Sequence, residues 1–144
     1  MKNIIFKPLE YLYYFSLVIL IILYLFPGSL IAYFLYRNLG QQPDLIPNPI
    51  GTSINHLIFF SYITLLALML RSKTKNILTN FKTLITLSII LEFFHAVVPN
   101  RAFETYDLIA NVLGVIIILI LQKILKWSNL SSILTFAPSF TTKD

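Results

Sequence analysis

Four long apolar stretches take up nearly half of this 144-residue chain. They run over residues 11–28, 54–70, 84–98 and 108–125. A helix that crosses a membrane needs about 20 largely apolar residues, and the alternating pattern of a membrane β-barrel is missing. We therefore predict an all-α fold, a four-helix transmembrane bundle, in a single integral membrane domain that covers residues 1–144.

The composition argues against the other broad classes of protein. Hydrophobic residues make up 57% of the chain and charged residues 12%, which is roughly half the charge of a soluble domain. Such high hydrophobicity also argues against intrinsic disorder. The absence of cysteine excludes disulfides, thiolate metal sites and a cysteine nucleophile. The sequence has no Walker-type loop, G-x-S-x-G elbow or dinucleotide fingerprint.

The basic residues predict the orientation of the helices. Only Arg37 and Arg101 lie on one side of the predicted bundle, whereas nine lie on the other: Lys2, Lys7, Arg71, Lys73, Lys75, Lys82, Lys123, Lys126 and Lys143. Because an excess of lysine and arginine marks the cytoplasmic side, both termini are expected in the cytoplasm. The basic residues behind the net charge of +5 then set the orientation of the helices in the membrane and can contact anionic lipid. Nucleic-acid binding is not expected, since it needs a basic face on a folded reading module.

The first apolar stretch ends with Pro27 and Gly28. Proline removes a backbone donor and glycine is flexible, so the first helix is predicted to end or kink there. Residues Ser29–Tyr36 then either extend a long tilted helix or lie at the outer interface, where their aromatic rings suit a belt. The stretch Gln41–Pro49 contains three prolines, and we expect an irregular outer loop that covers the outer end of the bundle.

A small set of polar side chains lies inside or beside the predicted spans. Glu92 and His95 are three residues apart and Asp107 and Asn111 are four apart, so each pair shares a helix face. Ionisable groups at membrane depth normally face the interior of a bundle. We predict a single outward-facing polar site formed by His56, Glu92, His95, Arg101, Asp107 and Asn111.

Three members of this set are the candidate catalytic residues. Glu92, His95 and His56 carry the carboxylate and imidazole groups that act as general acids and bases. Each also has a structural interpretation, as a polar contact between helices. The same three side chains form a ligand set that suits zinc, although a single Glu-x-x-His pair excludes a two-metal carboxylate bundle. We expect neither a bound metal nor a cofactor.

The other three are the candidate ligand-binding residues. The guanidinium of Arg101 can bind phosphate or carboxylate through two parallel hydrogen bonds, or it can pair with Glu104 or Asp107. Asp107 precedes an apolar run and is the expected N-cap of the fourth helix. We expect Asn111 to form hydrogen bonds between helices, and Gly114 to let two helices pack closely.

The polar residues also carry a resemblance to a known family. The pattern comprises a glutamate in an apolar helix, an arginine in a proline-containing turn, an aspartate that opens the next helix, and an asparagine and a glycine four and seven residues later: Glu92, Arg101, Asp107, Asn111 and Gly114. With His56, this pattern over residues 54–121 resembles the VanZ-like family. The resemblance implies a small multi-pass protein of the bacterial cytoplasmic (inner) membrane and cell envelope, related to a teicoplanin-resistance protein. It implies no particular reaction.

The sequence leaves three classes of function open. In the first, the polar site binds an anionic envelope ligand or a lipid headgroup without cleaving it. In the second, the protein is a membrane-embedded hydrolase or transferase in which Glu92 or a histidine acts as base and Arg101 stabilises negative charge. In the third, it is a structural subunit of a membrane complex. The lipid bilayer is an expected partner in all three, and oligomerisation is compatible with each.

Overall fold

The helical prediction is tested by a computed structural model, which describes residues 6–41, 51–71 and 76–127. These residues form five α-helices and no β-strand: α1 (Phe6–Leu25), α2 (Leu30–Tyr36), α3 (Ser53–Arg71), α4 (Phe81–Phe94) and α5 (Thr105–Trp127). A short 3-10 turn, Ile77–Thr79, precedes α4. The all-α prediction is confirmed for the described residues. Residues 42–49, which make up most of the predicted outer loop, lie outside the described residues.

Three helices are long and apolar enough to cross a membrane. They are α1, α3 and the Thr105–Leu125 part of α5, which correspond to the predicted stretches 11–28, 54–70 and 108–125. Their outward faces expose many large apolar side chains, among them Phe15, Ile22, Met69, Ile117 and Ile124. Soluble monomers rarely expose apolar surface on this scale. These helices therefore indicate a membrane protein.

The third predicted stretch, 84–98, forms a shorter helix than the sequence indicated. Helix α4 begins three residues earlier, at Phe81, but it ends at Phe94 and has only 14 residues. At 1.5 Å per residue it is roughly 21 Å long, which is less than the ~30 Å hydrocarbon core of a bilayer. It ends because the chain tightens into a turn, in which the N–H of His95 donates to the carbonyl of Glu92.

The break after α1 lies where proline and glycine predicted it. Helix α1 ends at Leu25, and Gly28 has a φ of +83°. A side chain at Gly28 would place its Cβ 2.5 Å from the carbonyl oxygen of Leu39. Ser29 then begins a new helix, since its Oγ accepts a hydrogen bond from the N–H of Ala32. The seven-residue α2 is therefore a separate helix and not an extension of α1.

Helix α1 runs antiparallel to α3, as contacts at the two ends of α1 show. Near its start, the hydroxyl of Tyr13 donates to the carbonyl of Leu78, in the connection between α3 and α4. Near its end, Tyr24 contacts His56 at the start of α3. Between these ends lies an apolar core that includes Leu17, Leu20, Phe60, Ile63, Leu84, Leu91 and Val115. The described basic side chains Lys7, Arg71, Lys82 and Lys123 belong to the end opposite His56.

Helices α3 and α5 pack closely at Gly114, as the sequence predicted. A Cβ on Gly114 would lie 2.6 Å from the carbonyl oxygen of Leu57 and 3.0 Å from the backbone nitrogen of Ser61. The hydroxyl of Ser61 also donates to the carbonyl of Gly114, at 3.2 Å. Backbone atoms of α3 therefore occupy the space that any larger residue would need.

Replacing Gly114 by alanine is expected to lower the free energy of unfolding by about 1–2 kcal/mol, because two helix backbones would have to separate. Thermal unfolding of the detergent-solubilised protein measures this. The control is Gly40→Ala, where the new Cβ would meet only the side-chain oxygen of Asn38, at 3.5 Å. A Gly114→Ala variant as stable as the control variant would contradict the close approach of α3 and α5.

Candidate functional site

The predicted polar residues come together at one end of the bundle. His56, Glu92, His95, Asp107 and Asn111 are all buried, and the most exposed of them, His56, retains only 8% of its accessible surface. Arg101 is half-buried beside them. The five buried side chains come from three helices and the turn that follows α4. We refer to these six residues, together with Tyr24, as the polar cluster.

Glu92 lies at the centre of the polar cluster and accepts hydrogen bonds on both oxygens. Its Oε1 accepts from His95 Nδ1 at 3.2 Å and from the backbone N–H of Glu104 at 3.3 Å. Its Oε2 accepts from Asn111 Nδ2 at 3.2 Å. Three donors therefore converge on this one carboxyl group. The predicted shared face of Glu92 and His95 and the interhelical role of Asn111 are confirmed.

Tyr24 connects three members of the cluster, and the sequence analysis missed it. Its hydroxyl donates to Asn111 Oδ1 at 2.5 Å. Since a phenol has only one proton, the 2.8 Å contact with His56 must have His56 Nδ1 as its donor. The ring of Tyr24 also stacks on that of His95, with centroids 5.1 Å apart and planes 19° apart. Its position three residues before Pro27, at the same depth as the predicted site, was the available signal.

His56 and Asp107 form a close pair between α3 and α5. His56 Nε2 lies 3.3 Å from Asp107 Oδ2, and Asp107 Oδ1 accepts a 2.5 Å hydrogen bond from Ser53 Oγ. With Nδ1 directed at Tyr24 and Nε2 at Asp107, both ring nitrogens of His56 are engaged within this end of the bundle.

The predicted N-cap role of Asp107 is wrong. Helix α5 begins at Thr105, and the carbonyl of Glu104 accepts the first helical hydrogen bond from the N–H of Leu108, at 3.0 Å. Glu104 is therefore in the N-cap position, and Asp107 lies in the first turn. Its carboxylate is used between helices, by Ser53 and His56.

Arg101 reaches α1, which the sequence did not predict. Its Nη2 donates to the carbonyl of Leu23 at 2.9 Å, one of the carbonyls that the end of α1 leaves without a helical partner. Within the described residues it forms no salt bridge with Glu104 or Asp107. Burial lowers the pKa of Arg101 from its ordinary value, and the nearby Tyr24 and Glu92 partly oppose this shift. The guanidinium remains charged at neutral pH.

A cavity of about 60 Å³ lies against the polar cluster, with room for about two waters. Part of its wall is polar and includes His56, His95 and Arg101. Another part is apolar and comes from α1, α2 and α3: Leu20, Leu23, Ile31 and Phe59. Two of the polar lining residues have a buried nitrogen, His95 Nε2 and Arg101 Nε, without a hydrogen-bond partner among the described residues.

Among the described residues, the same end of the bundle holds one possible set of metal ligands. His56, Glu92 and Asp107 can each place a ligand atom within 4.8 Å of the others. These side chains already take part in hydrogen bonds with Tyr24, Asn111 and Ser53. His95, which the zinc hypothesis included, directs Nδ1 at Glu92. The possible ligand set in the structure therefore has Asp107 in the place of His95.

The chain was also compared with known proteins. No family model, no curated protein and no solved structure matches it. The function is therefore argued from the polar cluster and the cavity beside it.

Proposed function

We propose that this chain is a VanZ-like, multi-pass protein of the bacterial cytoplasmic membrane. Helix α4 and the turn after it form a fourth, shorter span beside the three long helices. Both termini lie in the cytoplasm, and the polar cluster faces outwards. The support for this topology is charge: the described lysines and Arg71 belong to the helix ends opposite the cluster.

The proposed function is the binding of a small, terminal anionic group, a phosphate or a carboxylate, of an envelope ligand or lipid headgroup. The observation that carries this proposal is that two residues lining one cavity each have a buried nitrogen without a hydrogen-bond partner among the described residues: Nε2 of His95 and Nε of Arg101. Buried polar atoms in native proteins almost always have partners. A ligand group that accepts a hydrogen bond from Arg101 Nε and donates one to His95 Nε2 would supply both missing partners.

The charges of the cluster favour such a ligand. The guanidinium of Arg101 carries a positive charge and donates a hydrogen bond to the carbonyl of Leu23. Among the described residues it forms no salt bridge with a carboxylate, so its charge is available to an incoming anion. A monoprotonated phosphate suits the site particularly well, because its P–O–H can donate to the lone pair of His95 Nε2 while its other oxygens accept from Arg101.

The shape of the cavity favours a lipid as the source of the anion. A space of about 60 Å³ admits a single terminal group and leaves the body of the ligand outside. The apolar wall is formed by Leu20, Leu23 and Phe59, on helices that are apolar enough to cross the membrane. A molecule with an anionic head and a hydrocarbon chain therefore matches both walls.

The test is thermal stabilisation of the purified, detergent-solubilised protein by short-chain lipids. Dihexanoyl phosphatidic acid is expected to raise the unfolding temperature, since a ligand at 100 times its Kd stabilises by about 2.7 kcal/mol. Dihexanoyl phosphatidylcholine is expected to have no effect, because its phosphate is not terminal. Arg101→Gln is expected to weaken binding of phosphatidic acid at least tenfold, because a charged hydrogen bond to the ligand contributes about 1.5–3 kcal/mol.

Arg37→Gln is the matched control for the Arg101 variant. Arg37 is exposed, lies on the same predicted side of the membrane and does not line the cavity. Its replacement tests for general attraction between a basic residue and an acidic lipid. Equal losses in the two variants, or equal stabilisation by the two lipids, would contradict specific binding in the cavity.

A further inference from the structure

His95 is held in one tautomer and one orientation by its neighbours. Its Nδ1 faces Glu92 Oε1 at 3.2 Å, so Nδ1 carries the proton and donates it to the carboxylate. Stacking on Tyr24 fixes the plane of the ring. The other nitrogen, Nε2, is buried and has no hydrogen-bond partner among the described residues, and the His95 side chain lines the cavity. His95 is 2% exposed, so bulk water does not compete for the lone pair of Nε2.

We propose that His95 is a nucleophile that attacks the phosphorus of a terminal phosphate ester, so that the protein is a membrane phosphomonoesterase. The inference rests on the proposed function, because it needs a terminal phosphate bound beside Arg101. It goes beyond binding in that a bond is broken. A carboxylate hydrogen-bonded to one imidazole nitrogen raises the reactivity of the other, which is the usual arrangement for histidine in catalysis.

The size of the cavity favours attack by His95 over attack by a water molecule that His95 activates. About 60 Å³ has room for about two waters, and a phosphoryl group fills most of that space. An attacking water would need additional room in line with the leaving group. The same limit selects monoesters, because the phosphorus of a diester carries a bulky substituent on both sides.

The first step transfers the phosphoryl group to the protein. As the P–O–H proton turns from Nε2 of His95 to the ester oxygen, the lone pair of Nε2 forms a bond to phosphorus, and the bond between phosphorus and the ester oxygen breaks. The leaving oxygen keeps that electron pair and takes the proton of the monoprotonated phosphate, so that the alcohol departs neutral. The imidazole becomes positive as the N–P bond forms, and the carboxylate of Glu92 stabilises this charge through Nδ1.

The second step restores the protein. Water enters once the alcohol has left, and its oxygen attacks phosphorus while the N–P bond breaks and returns its electron pair to Nε2. Both protons of the water end on the phosphate, which leaves as the monoanion. In both steps the guanidinium of Arg101 stabilises the charge on the equatorial oxygens of the phosphoryl group.

The experiment uses dihexanoyl phosphatidic acid that is radiolabelled in its phosphate. The full-length, solubilised protein is mixed with the lipid and quenched after seconds, and the label on protein and the inorganic phosphate released are both measured. The expected result is release of phosphate, together with label on His95 that is stable in alkali and lost in acid. In His95→Asn, an amide N–H lies near the position of Nδ1 and can still donate to Glu92, whereas Nε2 is absent. It is expected to lose the protein label and to release phosphate at least about 100-fold more slowly.

Binding of the lipid is measured on the same samples, by thermal stabilisation, so that the two proposals can fail separately. Wild-type protein that binds the lipid but neither acquires label nor releases phosphate overturns this inference and leaves the proposed function intact. Label that persists in a folded His95→Asn variant also overturns it. Wild-type protein that does not bind the lipid overturns the proposed function, and this inference with it.

Discussion

Replacing Glu92 by glutamine is expected to lower the free energy of unfolding by about 3 kcal/mol, the largest effect of any single substitution considered for this protein. The side chain is fully buried and accepts three hydrogen bonds, from His95, Asn111 and the backbone of Glu104. Glutamine has almost the same shape, so the change removes charge and acceptor capacity without opening a cavity.

Neither orientation of the new amide satisfies its neighbours. With its NH₂ in the place of Oε2, it opposes the NH₂ of Asn111, which cannot simply rotate because its oxygen accepts from Tyr24. With its NH₂ in the place of Oε1, it opposes the backbone N–H of Glu104 and the protonated nitrogen of His95. At least one buried donor therefore loses its partner in either case.

Thermal or denaturant-induced unfolding in detergent measures this effect, and Glu104→Gln is the control. The Glu104 side chain is exposed, and its contribution to the cluster is a backbone N–H that the substitution retains. A Glu92→Gln variant as stable as the wild type would contradict a structural role for the carboxylate. It would mean that Glu92 is maintained for function alone, since removing such groups is often neutral or stabilising.

The sequence predicted the elements of the fold whose physical signal is local. The apolar stretches long enough to cross a bilayer correspond to α1, α3 and α5. Helix α1 ends just before the proline and glycine, as the sequence predicted. The end of α4 was predicted four residues too late, at residue 98 and not at Phe94, because Ala96, Val97 and Val98 are apolar but belong to a turn. Hydropathy measures the affinity of a segment for lipid and does not distinguish helix from an apolar turn.

The sequence predicted which residues form the candidate site, but not which of them contact each other. Ionisable groups are rare in the apolar stretches, and this rarity, together with their spacing along the helices, was sufficient to select the five buried residues, from His56 to Asn111. The role of Asp107 was misjudged because an aspartate before an apolar run is a common N-cap, and only the tertiary contacts with Ser53 and His56 reveal its use. Tyr24 was missed because a tyrosine near a membrane interface is ordinary.

Replacing Tyr24 by phenylalanine is expected to lower the free energy of unfolding by about 2–3 kcal/mol, the second-largest effect. The phenyl ring still fills the space and still stacks on His95, so only the hydroxyl is lost. Its removal leaves two buried atoms without their partner, Asn111 Oδ1 and His56 Nδ1. Tyr24 is only 5% exposed, so bulk water does not replace the lost hydrogen bonds directly.

The comparison variant is Tyr106→Phe, which removes the hydroxyl of an exposed tyrosine in the first turn of α5, at the same end of the bundle. Unfolding of both variants and the wild type is followed in the same detergent. Equal stability of Tyr24→Phe and Tyr106→Phe would contradict the assignment of donors around Tyr24. The assignment of His56 Nδ1 as a donor would then lose its support, because it depends on the Tyr24 hydroxyl donating to Asn111 and accepting from His56.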